Sequence, residues 1–192
     1  MRAGYTDRVM EVETERLLLR RFTKEDADAH LAVVSDPEFR THFPASYLPD
    51  RDGVLVGIGR FLEHWYQFGF GVWLLELKAE RRPVGYCGLR HLAPTDEIEL
   101  LYGIDKALWG RGLTTEAARA SLRYGFEEMG FARVMAVTVH ENTGSRRVME
   151  KCGLRYERDA NYFEVDCVYY ALNREDYRAD AEAPYALRRP PE

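Results

Sequence analysis

One short stretch constrains the fold of this chain more than any other. In it, two glycines separate a segment with the composition of a strand from a segment with the spacing of a helix. Residues 98–105 have the apolar composition of a strand, residues 113–129 have helical spacing, and Gly110 and Gly112 lie between them. Closely spaced glycines let the backbone turn tightly at little steric cost. The helix that follows presents free N–H groups and the positive end of its dipole. The pattern predicts either an anion site, suited to a phosphate or pyrophosphate, or a tight turn without a ligand.

Neither of two common phosphate-binding loops fits this stretch. A P-loop requires a lysine after its second glycine, and this segment has none. The dinucleotide-binding fingerprint requires a third glycine at the place that Thr115 occupies, although the acidic Glu141 does follow the next strand. A dinucleotide-dependent oxidoreductase is therefore a disfavoured alternative.

The spacing of apolar residues predicts one domain with mixed α/β structure. We expect helices at residues 24–34, 54–68, 113–129 and 143–152, and strands at residues 16–22, 71–78, 83–90, 98–105, 131–140, 154–158 and 164–172. Asp36-Pro37 should end the first helix, and a loop should follow it. The order of elements gives a mixed central sheet flanked by helices, in which strands 98–105 and 131–140 run parallel across the intervening helix.

Composition favours a globular protein and gives no sign of nucleic-acid or membrane binding. The 192 residues are 46% hydrophobic and 31% charged, with a net charge of −5 and an isoelectric point of about 5.6. Nucleic-acid-binding domains usually carry a basic stripe, and no apolar run here nears the about 20 residues that cross a bilayer. The start of the sequence also lacks the apolar core of a signal peptide. We therefore expect a cytoplasmic protein.

The cysteines and histidines predict neither a disulfide framework nor a metal site. Cys87, Cys152 and Cys167 are odd in number and lack Cys-x-x-Cys spacing, and the histidines share no ligand spacing. Free, mostly buried thiols in a reducing compartment are the simplest interpretation.

Residues 109–117, Trp-Gly-Arg-Gly-Leu-Thr-Thr-Glu-Ala, resemble the pyrophosphate motif Gln/Arg-x-x-Gly-x-Gly/Ala of the GNAT superfamily of N-acetyltransferases. The Trp-Gly pair and the Thr-Glu-Ala are similar to the branch that includes the ribosomal-protein N-terminal acetyltransferases, whereas Thr114 departs from the usual small residue. The resemblance implies that the pyrophosphate of coenzyme A binds at Gly110, Arg111, Gly112, Leu113, Thr114 and Thr115.

A second stretch, residues 142–154, is similar to the Asn-x-x-Ser-x-x-(apolar)-x-Glu-Lys-x-Gly-Phe segment of the same branch. Alone, Asn142 is an ordinary helix cap. In the family this asparagine and serine contact the cofactor, which assigns Asn142 and Ser145 to cofactor binding. With the similar start Glu-Thr-Glu-Arg-Leu-Leu-Leu-Arg, the resemblance implies an N-acetyltransferase domain at residues 11–178. We expect residues 179–192 to form a flexible tail.

The resemblance also implies direct transfer of an acetyl group from acetyl-CoA to an amine in a ternary complex. Backbone groups of Tyr102, Gly103 and Ile104 would contact the pantetheine and the acetyl carbonyl. Glu99 lies near the place where many members keep a catalytic glutamate, so it is the candidate base, with Glu97 second. The alternative role for either carboxylate is to pair with an Arg or Lys across the sheet.

The acid that protonates the leaving thiolate is harder to assign. Many members have a tyrosine in the helix after the Asn motif, where this chain has Met149. Ser145 is the candidate to hydrogen-bond the thiolate instead, or it only contacts the cofactor. Met149 keeps open a second hypothesis, a non-catalytic acyl-CoA-binding regulatory module.

The acceptor groove of the family lies between the loop after the first helix and the loop joining the last two strands. In this chain those loops are residues 35–50 and 158–164. They carry aromatic residues and a carboxylate suited to a cation on an apolar or planar body: Phe39, His42, Phe43, Tyr47, Asp159, Tyr162 and Phe163. We expect a small-molecule amine or a peptide N-terminus as the acceptor, and a monomer or homodimer.

Overall fold

Strands and helices follow one another in nearly the predicted order. The computed structural model describes residues 11–43, 48–162 and 164–189. The elements are β1 (Glu11–Glu13), β2 (Leu17–Arg20), α1 (Ala27–Val34), α2 (Pro37–Arg40), α3 (Arg51–Phe68), β3 (Val72–Leu77), β4 (Arg82–His91), β5 (Ile98–Ile104), α4 (Leu113–Arg123), β6 (Arg133–Val139), α5 (Thr143–Lys151), β7 (Arg155–Tyr162), β8 (Val165–Asn173) and β9 (Ala186–Arg188). No helix in these ranges is long and apolar enough to cross a membrane.

Within the described residues the strands form one sheet, in the order β7-β8-β6-β5-β4-β3-β2-β1-β9. Each neighbouring pair is antiparallel except β5 and β6, which run parallel and are connected through α4. The mixed sheet and the parallel pair that the sequence predicts are thus confirmed.

The parallel strands β5 and β6 touch at one position, where Glu99 lies opposite Met135. By contrast, β5 pairs with β4, and β6 with β8, along their whole lengths. Because the single contact lies near the start of both strands, β5 and β6 diverge toward their C-terminal ends. We call the opening between residues 100–104 and residues 136–139 the β5–β6 cleft.

Apolar side chains cover both faces of β5. Leu100 and Ile104 join the large cluster that includes the inner face of α4, while Leu101 packs with the cluster beneath α1 and α3. Since alternate residues of a strand point to opposite faces, Glu99 lies on the same face as Leu101, the α1–α3 face. The sheet therefore separates the glycine turn and α4 from the carboxylates of β5.

The loop after α1 begins later than predicted, because Pro37–Arg40 forms a helical turn. Oδ1 of Asp36 accepts the N–H groups of Glu38 at 2.9 Å and Phe39 at 3.1 Å. Pro37 fits the first turn, where its missing N–H would have had no helical partner. The dipeptide that ends α1 thus also starts α2, and it brings the ring of Phe39 into the core.

Helix α4 ends earlier than the predicted helix of residues 113–129. Its α-helical part stops at Arg123, and the chain continues as a π-helical turn over Tyr124–Glu128. Gly130, at φ +72°, follows this turn in the left-handed conformation expected of a glycine after a helix. Within the π turn, Phe126 is buried against the ring of Tyr177.

Part of the segment predicted to be a flexible tail is a strand instead. In β9, Leu187 lies opposite Val12 of β1, and Arg188 forms an ion pair with Glu13. A strand at the edge of a sheet leaves a row of backbone groups unpaired, and β9 satisfies that row on β1. The sheet therefore extends beyond residue 178, to Arg188.

Candidate active site

The glycine turn before α4 has the backbone geometry that the sequence predicts. Gly110 and Gly112 have φ angles of +75° and +77°, in the left-handed region that residues with a side chain rarely adopt. A Cβ atom at Gly110 would meet nothing within 4 Å, and at Gly112 its nearest neighbour would be Nη2 of Arg16 at 3.6 Å. Conformation, rather than lack of space, therefore requires glycine at both positions.

The first turn of α4 carries backbone donors that the helix does not use. Gly112 caps α4 and has no side chain to bond these donors. The N–H of Glu116 donates to the carbonyl of Gly112 at 3.0 Å, which begins the helical ladder. The N–H groups of Leu113, Thr114 and Thr115 precede this bond and lie outside the ladder. With the helix dipole, these free donors have the character that an anion site requires.

Alternate backbone groups of β5 face the β5–β6 cleft. The N–H of Asp105 donates to β4 at 2.7 Å, so in the antiparallel register the odd-numbered residues of β5 bond to β4. The N–H and C=O groups of Tyr102 and Ile104 consequently point toward the cleft, and those of Gly103 toward β4. The carbonyl of Ile104 accepts from Nε1 of Trp109 at 3.0 Å. Of the three predicted backbone contacts, Gly103 is the one that this geometry does not favour.

Asn142 and Ser145 lie at the start of α5, beside the cleft. Oδ1 of Asn142 accepts the N–H of Ser145 at 3.0 Å and so caps the helix. The hydroxyl of Tyr102 is 2.9 Å from Oγ and 3.0 Å from the carbonyl oxygen of Ser145. Burial raises the pKa of the Tyr102 phenol, which therefore stays protonated. The sequence assigns only backbone contacts to Tyr102, because no local pattern relates two residues that are 43 positions apart.

Glu99 is a buried carboxylate with an arginine partner. Only 4% of its surface is exposed, and its Oε2 accepts from Nε of Arg90, its cross-strand neighbour on β4, at 2.6 Å. This is the cross-strand pairing that the sequence leaves open as the alternative to catalysis. A buried charge requires such a partner, because removing it from water is otherwise costly. The bond engages one carboxylate oxygen and leaves Oε1 outside it.

The carboxylate of Glu97, two residues before Glu99, accepts hydrogen bonds from two phenols. Its Oε1 accepts from the hydroxyl of Tyr169 at 2.6 Å, and its Oε2 from that of Tyr162 at 2.9 Å. Burial, followed by the bond to Glu97, raises the pKa of Tyr162 to about 12. The guanidinium of Arg158 lies over the ring of Tyr169, 3.7 Å from its centroid. Glu97 thus ties β5 to the β7–β8 hairpin.

Aromatic side chains flank Glu99 on the α1–α3 face. The ring of Phe39 is so close to Gly103 that a Cβ atom there would lie 2.8 Å from it. Tyr162 is bonded to Glu97, two residues before Glu99. Glu99 therefore lies along β5 between an aromatic group from α2 and one from β7.

The other predicted groove residues contribute unevenly. Phe43 is partly exposed and stacks on Phe39 with ring centroids 5.3 Å apart. Asp159 accepts from the hydroxyl of Tyr156, which places it on the opposite face of β7 from Tyr162. His42 is half-buried. Tyr47 and Phe163 lie outside the described residues.

Neither a metal site nor an activated thiol is found in the part of the chain that the structure describes. No three His, Cys, Asp or Glu side chains are grouped there to hold a metal ion. Cys87, Cys152 and Cys167 are free. Burial raises the pKa values of Cys87 and Cys152 to about 12, so both thiols stay protonated near neutral pH.

A cavity of about 960 Å³ lies between α4, the end of α5 and residues 176–185. It touches Gly112 and Thr115, but its lining includes none of Glu99, Tyr102 or Ser145. The groups suited to chemistry surround the β5–β6 cleft rather than this cavity.

Known proteins are similar to this chain in sequence and in fold. The family model of the acetyltransferase (GNAT) domain matches residues 16–155. A GNAT-family acetyltransferase structure from Bacillus anthracis has a TM-score of 0.74 and 27% identity, covering 86% of this chain and 99% of that one. RimJ from Mycobacterium smegmatis, solved with CoA-disulfide, shares the fold with a TM-score of 0.73 and 20% identity, over 86% of this chain and 88% of its own. The FsC-acetyl coenzyme A-N(2)-transacetylase of Aspergillus fumigatus is 32% identical over 128 residues, 57% of this chain and 52% of that protein.

The family model and the fold define an acetyl-CoA-dependent acyltransferase. The chain belongs to the GNAT family of acetyltransferases. The resemblance seen in its sequence, and the mixed α/β fold inferred from it, are thereby confirmed.

The glycine turn gives a first prediction. Gly112→Val should weaken acetyl-CoA binding by about tenfold or more, because a β-branched residue is strained at positive φ and would reshape the turn. Isothermal titration calorimetry measures the affinity. Gly130→Val is the matched control, since Gly130 has φ +72° and lies after the π turn, away from the site. Unchanged affinity in Gly112→Val, or an equal loss in the control, would contradict the assignment.

Proposed function

We propose that the chain transfers an acetyl group from acetyl-CoA to a primary amine, a small molecule or a peptide N-terminus, by direct attack in a ternary complex. The observation that carries this proposal is the β5–β6 cleft, whose backbone groups at Tyr102 and Ile104 lead toward the free donors of α4. Backbone N–H groups suit a thioester carbonyl, because they meet a developing oxyanion without reorganising. The protonated state of Cys87 and Cys152 favours direct attack over an acyl-cysteine intermediate.

The amine must lose a proton before it attacks a thioester. An α-amine with a pKa of about 8 is about 10% neutral at pH 7, whereas a lysine with a pKa of about 10.4 is about 0.04% neutral. Glu99 is the base in this proposal, taking the proton on Oε1 directly or through a water. Arg90 holds the other oxygen and so fixes the direction in which Oε1 points.

Substitution of the base provides a second prediction. Glu99→Gln should lower kcat by about 10²–10⁴ while acetyl-CoA affinity is largely kept, because the amide has the shape of the carboxylate but cannot accept the proton. Glu97→Gln is the comparison variant: it removes a carboxylate from the same face, two residues away, and should retain most of the rate. A near-wild-type rate for Glu99→Gln across pH 6 to 9 would remove Glu99 from the mechanism, and a larger loss for Glu97→Gln would move the role to Glu97.

Ser145 stabilises the leaving thiolate in this proposal. Met149 occupies the place where many family members have a tyrosine acid, and it has no proton to give. The one proton of the Tyr102 phenol has two acceptors on Ser145, the carbonyl oxygen at 3.0 Å and Oγ at 2.9 Å, and in this proposal it goes to Oγ. The proton of Ser145 is then free to point toward the sulfur, since a hydroxyl both accepts and donates. Tyr102 acts as a positioning residue through Ser145.

The two hydroxyls should behave as one unit, which is a third prediction. Ser145→Ala and Tyr102→Phe should each lower kcat by about tenfold with little change in CoA affinity, and the double variant should be no slower than Ser145→Ala, because residues in one hydrogen-bond chain are not additive. Steady-state kinetics measure all three. Tyr156→Phe, which removes a phenol bonded to Asp159 on the outer strand β7, is the control. Fully additive losses, or no loss, would reject the pairing.

The proposed choice of acceptor depends on the free energy needed to deprotonate the amine and on the side chains beside Glu99. Deprotonating a lysine side chain costs about 3 kcal/mol more than deprotonating an α-amine. The carboxylate of Glu99 is shared with Arg90, so its attraction for a cation is partly offset. Phe39 and Tyr162 present apolar surface on either side of it. These features favour an amine of low basicity on an apolar or planar body.

An acceptor panel tests the proposed function and is the fourth prediction. Thioester consumption should be observed with small amines and with peptides that have a free N-terminus, and should be about 10²-fold lower in kcat/KM for N-terminally blocked lysine peptides, following the neutral fractions. Mass spectrometry of the products locates the acetyl group. Exclusive acetylation of internal lysines would overturn the acceptor assignment. Binding of CoA without thioester consumption across the panel would overturn amine acetylation itself.

A further inference from the structure

The stretch between β1 and β2 makes a dense set of contacts with the first turn of α4. Oε1 of Glu116 accepts from Oγ1 of Thr14 at 2.6 Å and from the backbone N–H of Arg16 at 2.8 Å. Oε2 of Glu116 accepts from Nε of Arg16 at 2.7 Å. The hydroxyl of Thr14 also bonds the backbone of Leu17, which fixes the stretch to the start of β2. About a hundred residues of chain separate the two partners, so this is a tertiary contact and not a local turn.

Arg16 reaches past Glu116 to the glycine turn itself. Its Nη1 donates to the backbone carbonyl of Arg111 at 2.9 Å. That carbonyl belongs to the same rigid trans peptide unit as the N–H of Gly112, and in such a unit the two groups point in opposite directions. By holding the carbonyl on its own side, Arg16 directs the N–H of Gly112 to the opposite side of the turn. A glycine has little conformational preference of its own, so this peptide needs an external restraint.

The charge of Glu116 makes the same contact electrostatically necessary. A carboxylate in the first turn of a helix is favoured by the helix dipole, but it also repels an anion that binds at the same helix end. Arg16 offsets this charge through an ion pair of 2.7 Å in which 15% of the Glu116 side chain is exposed. The first turn can then hold a glutamate and still attract a phosphate group.

We propose that Arg16, anchored by Glu116 and Thr14, is a positioning residue for coenzyme A: it sets the orientation of the Gly112 N–H, and the net charge of the α4 turn, for the pyrophosphate. This inference rests on the proposed function, because it needs acetyl-CoA in the β5–β6 cleft. It goes beyond that function by giving a role in donor binding to the stretch between β1 and β2, which packs against the first turn of α4.

The test compares two acetyl donors, acetyl-CoA and acetyl-pantetheine, of which only the first carries a pyrophosphate. Arg16→Met should raise the KM for acetyl-CoA, and the Kd for CoA measured by calorimetry, by about tenfold. It should leave kcat at saturating acetyl-CoA and kcat/KM for acetyl-pantetheine unchanged. A purely structural role would weaken the use of both donors, so a difference between donors places the effect on the nucleotide half of acetyl-CoA, which carries the pyrophosphate.

Three further variants keep the test decisive. Arg16→Lys retains the charge but cannot reproduce the forked contact to both Glu116 and Arg111, so it should give an intermediate KM for acetyl-CoA even if Arg16→Met folds poorly. Glu116→Gln removes the anchor of Arg16 together with the charge that repels the pyrophosphate, so it should raise the KM for acetyl-CoA less than Arg16→Met does. Arg123→Met removes an ion pair at the far end of the same helix and should change neither donor.

Failure of this inference and failure of the proposed function give different results. An unchanged acetyl-CoA KM in Arg16→Met, or equal losses with both donors, overturns the role of Arg16 while wild-type turnover stands. A wild-type protein that turns over neither donor with any amine overturns the proposed function first.

Discussion

The β5–β6 cleft exists because two antiparallel arrays of strands are joined by a single parallel contact, that of Glu99 with Met135. The strands of each array pair with one another, so β5 and β6 can separate beyond this point without breaking either array. Helix α4 connects the arrays and packs beneath them through Leu113 and Ala117. An unpaired strand edge is ordinarily a hazard for a soluble protein. In this chain the same edge leaves the backbone groups of Tyr102 and Ile104 facing the cleft.

The parts of the fold that the sequence predicts are those set by local physics. The turns at Gly112 and Gly130 could be predicted because a backbone at positive φ strongly favours glycine. The parts that it misses depend on distant partners. The π turn is buried against Tyr177, and β9 is a strand because the outer edge of β1 accepts Leu187. Contacts with such distant partners produce no periodic pattern in the sequence of the π turn or of β9.

The contacts of the candidate site also divide into those set by local sequence and those that depend on distant partners. Capping of α5 by Asn142 spans three residues and is visible in the sequence. The pairing of Glu99 with Arg90 depends on the register of β4 against β5, and a shift of one residue would turn a different side chain toward the arginine. The contact of Tyr102 with Ser145 depends on how α5 packs over the diverging strands. Sequence patterns therefore supplied the candidates, and the packing of distant elements decides which of them can act together.

The partners of the two β5 carboxylates narrow the chemistry that the cleft can support. Both oxygens of Glu97 are bonded to phenols, and one oxygen of Glu99 is bonded to an arginine. Oε1 of Glu99 is thus the one carboxylate oxygen of this pair outside a side-chain bond, so the site offers one proton acceptor rather than a strongly anionic pocket. In the proposed mechanism, a single acceptor with a neighbouring guanidinium leaves most of the rate enhancement to the positioning of the amine and the thioester. An amine that already loses its proton readily is the substrate that such a site serves best, which is the physical reason for favouring an α-amine or a weakly basic small amine over a lysine side chain.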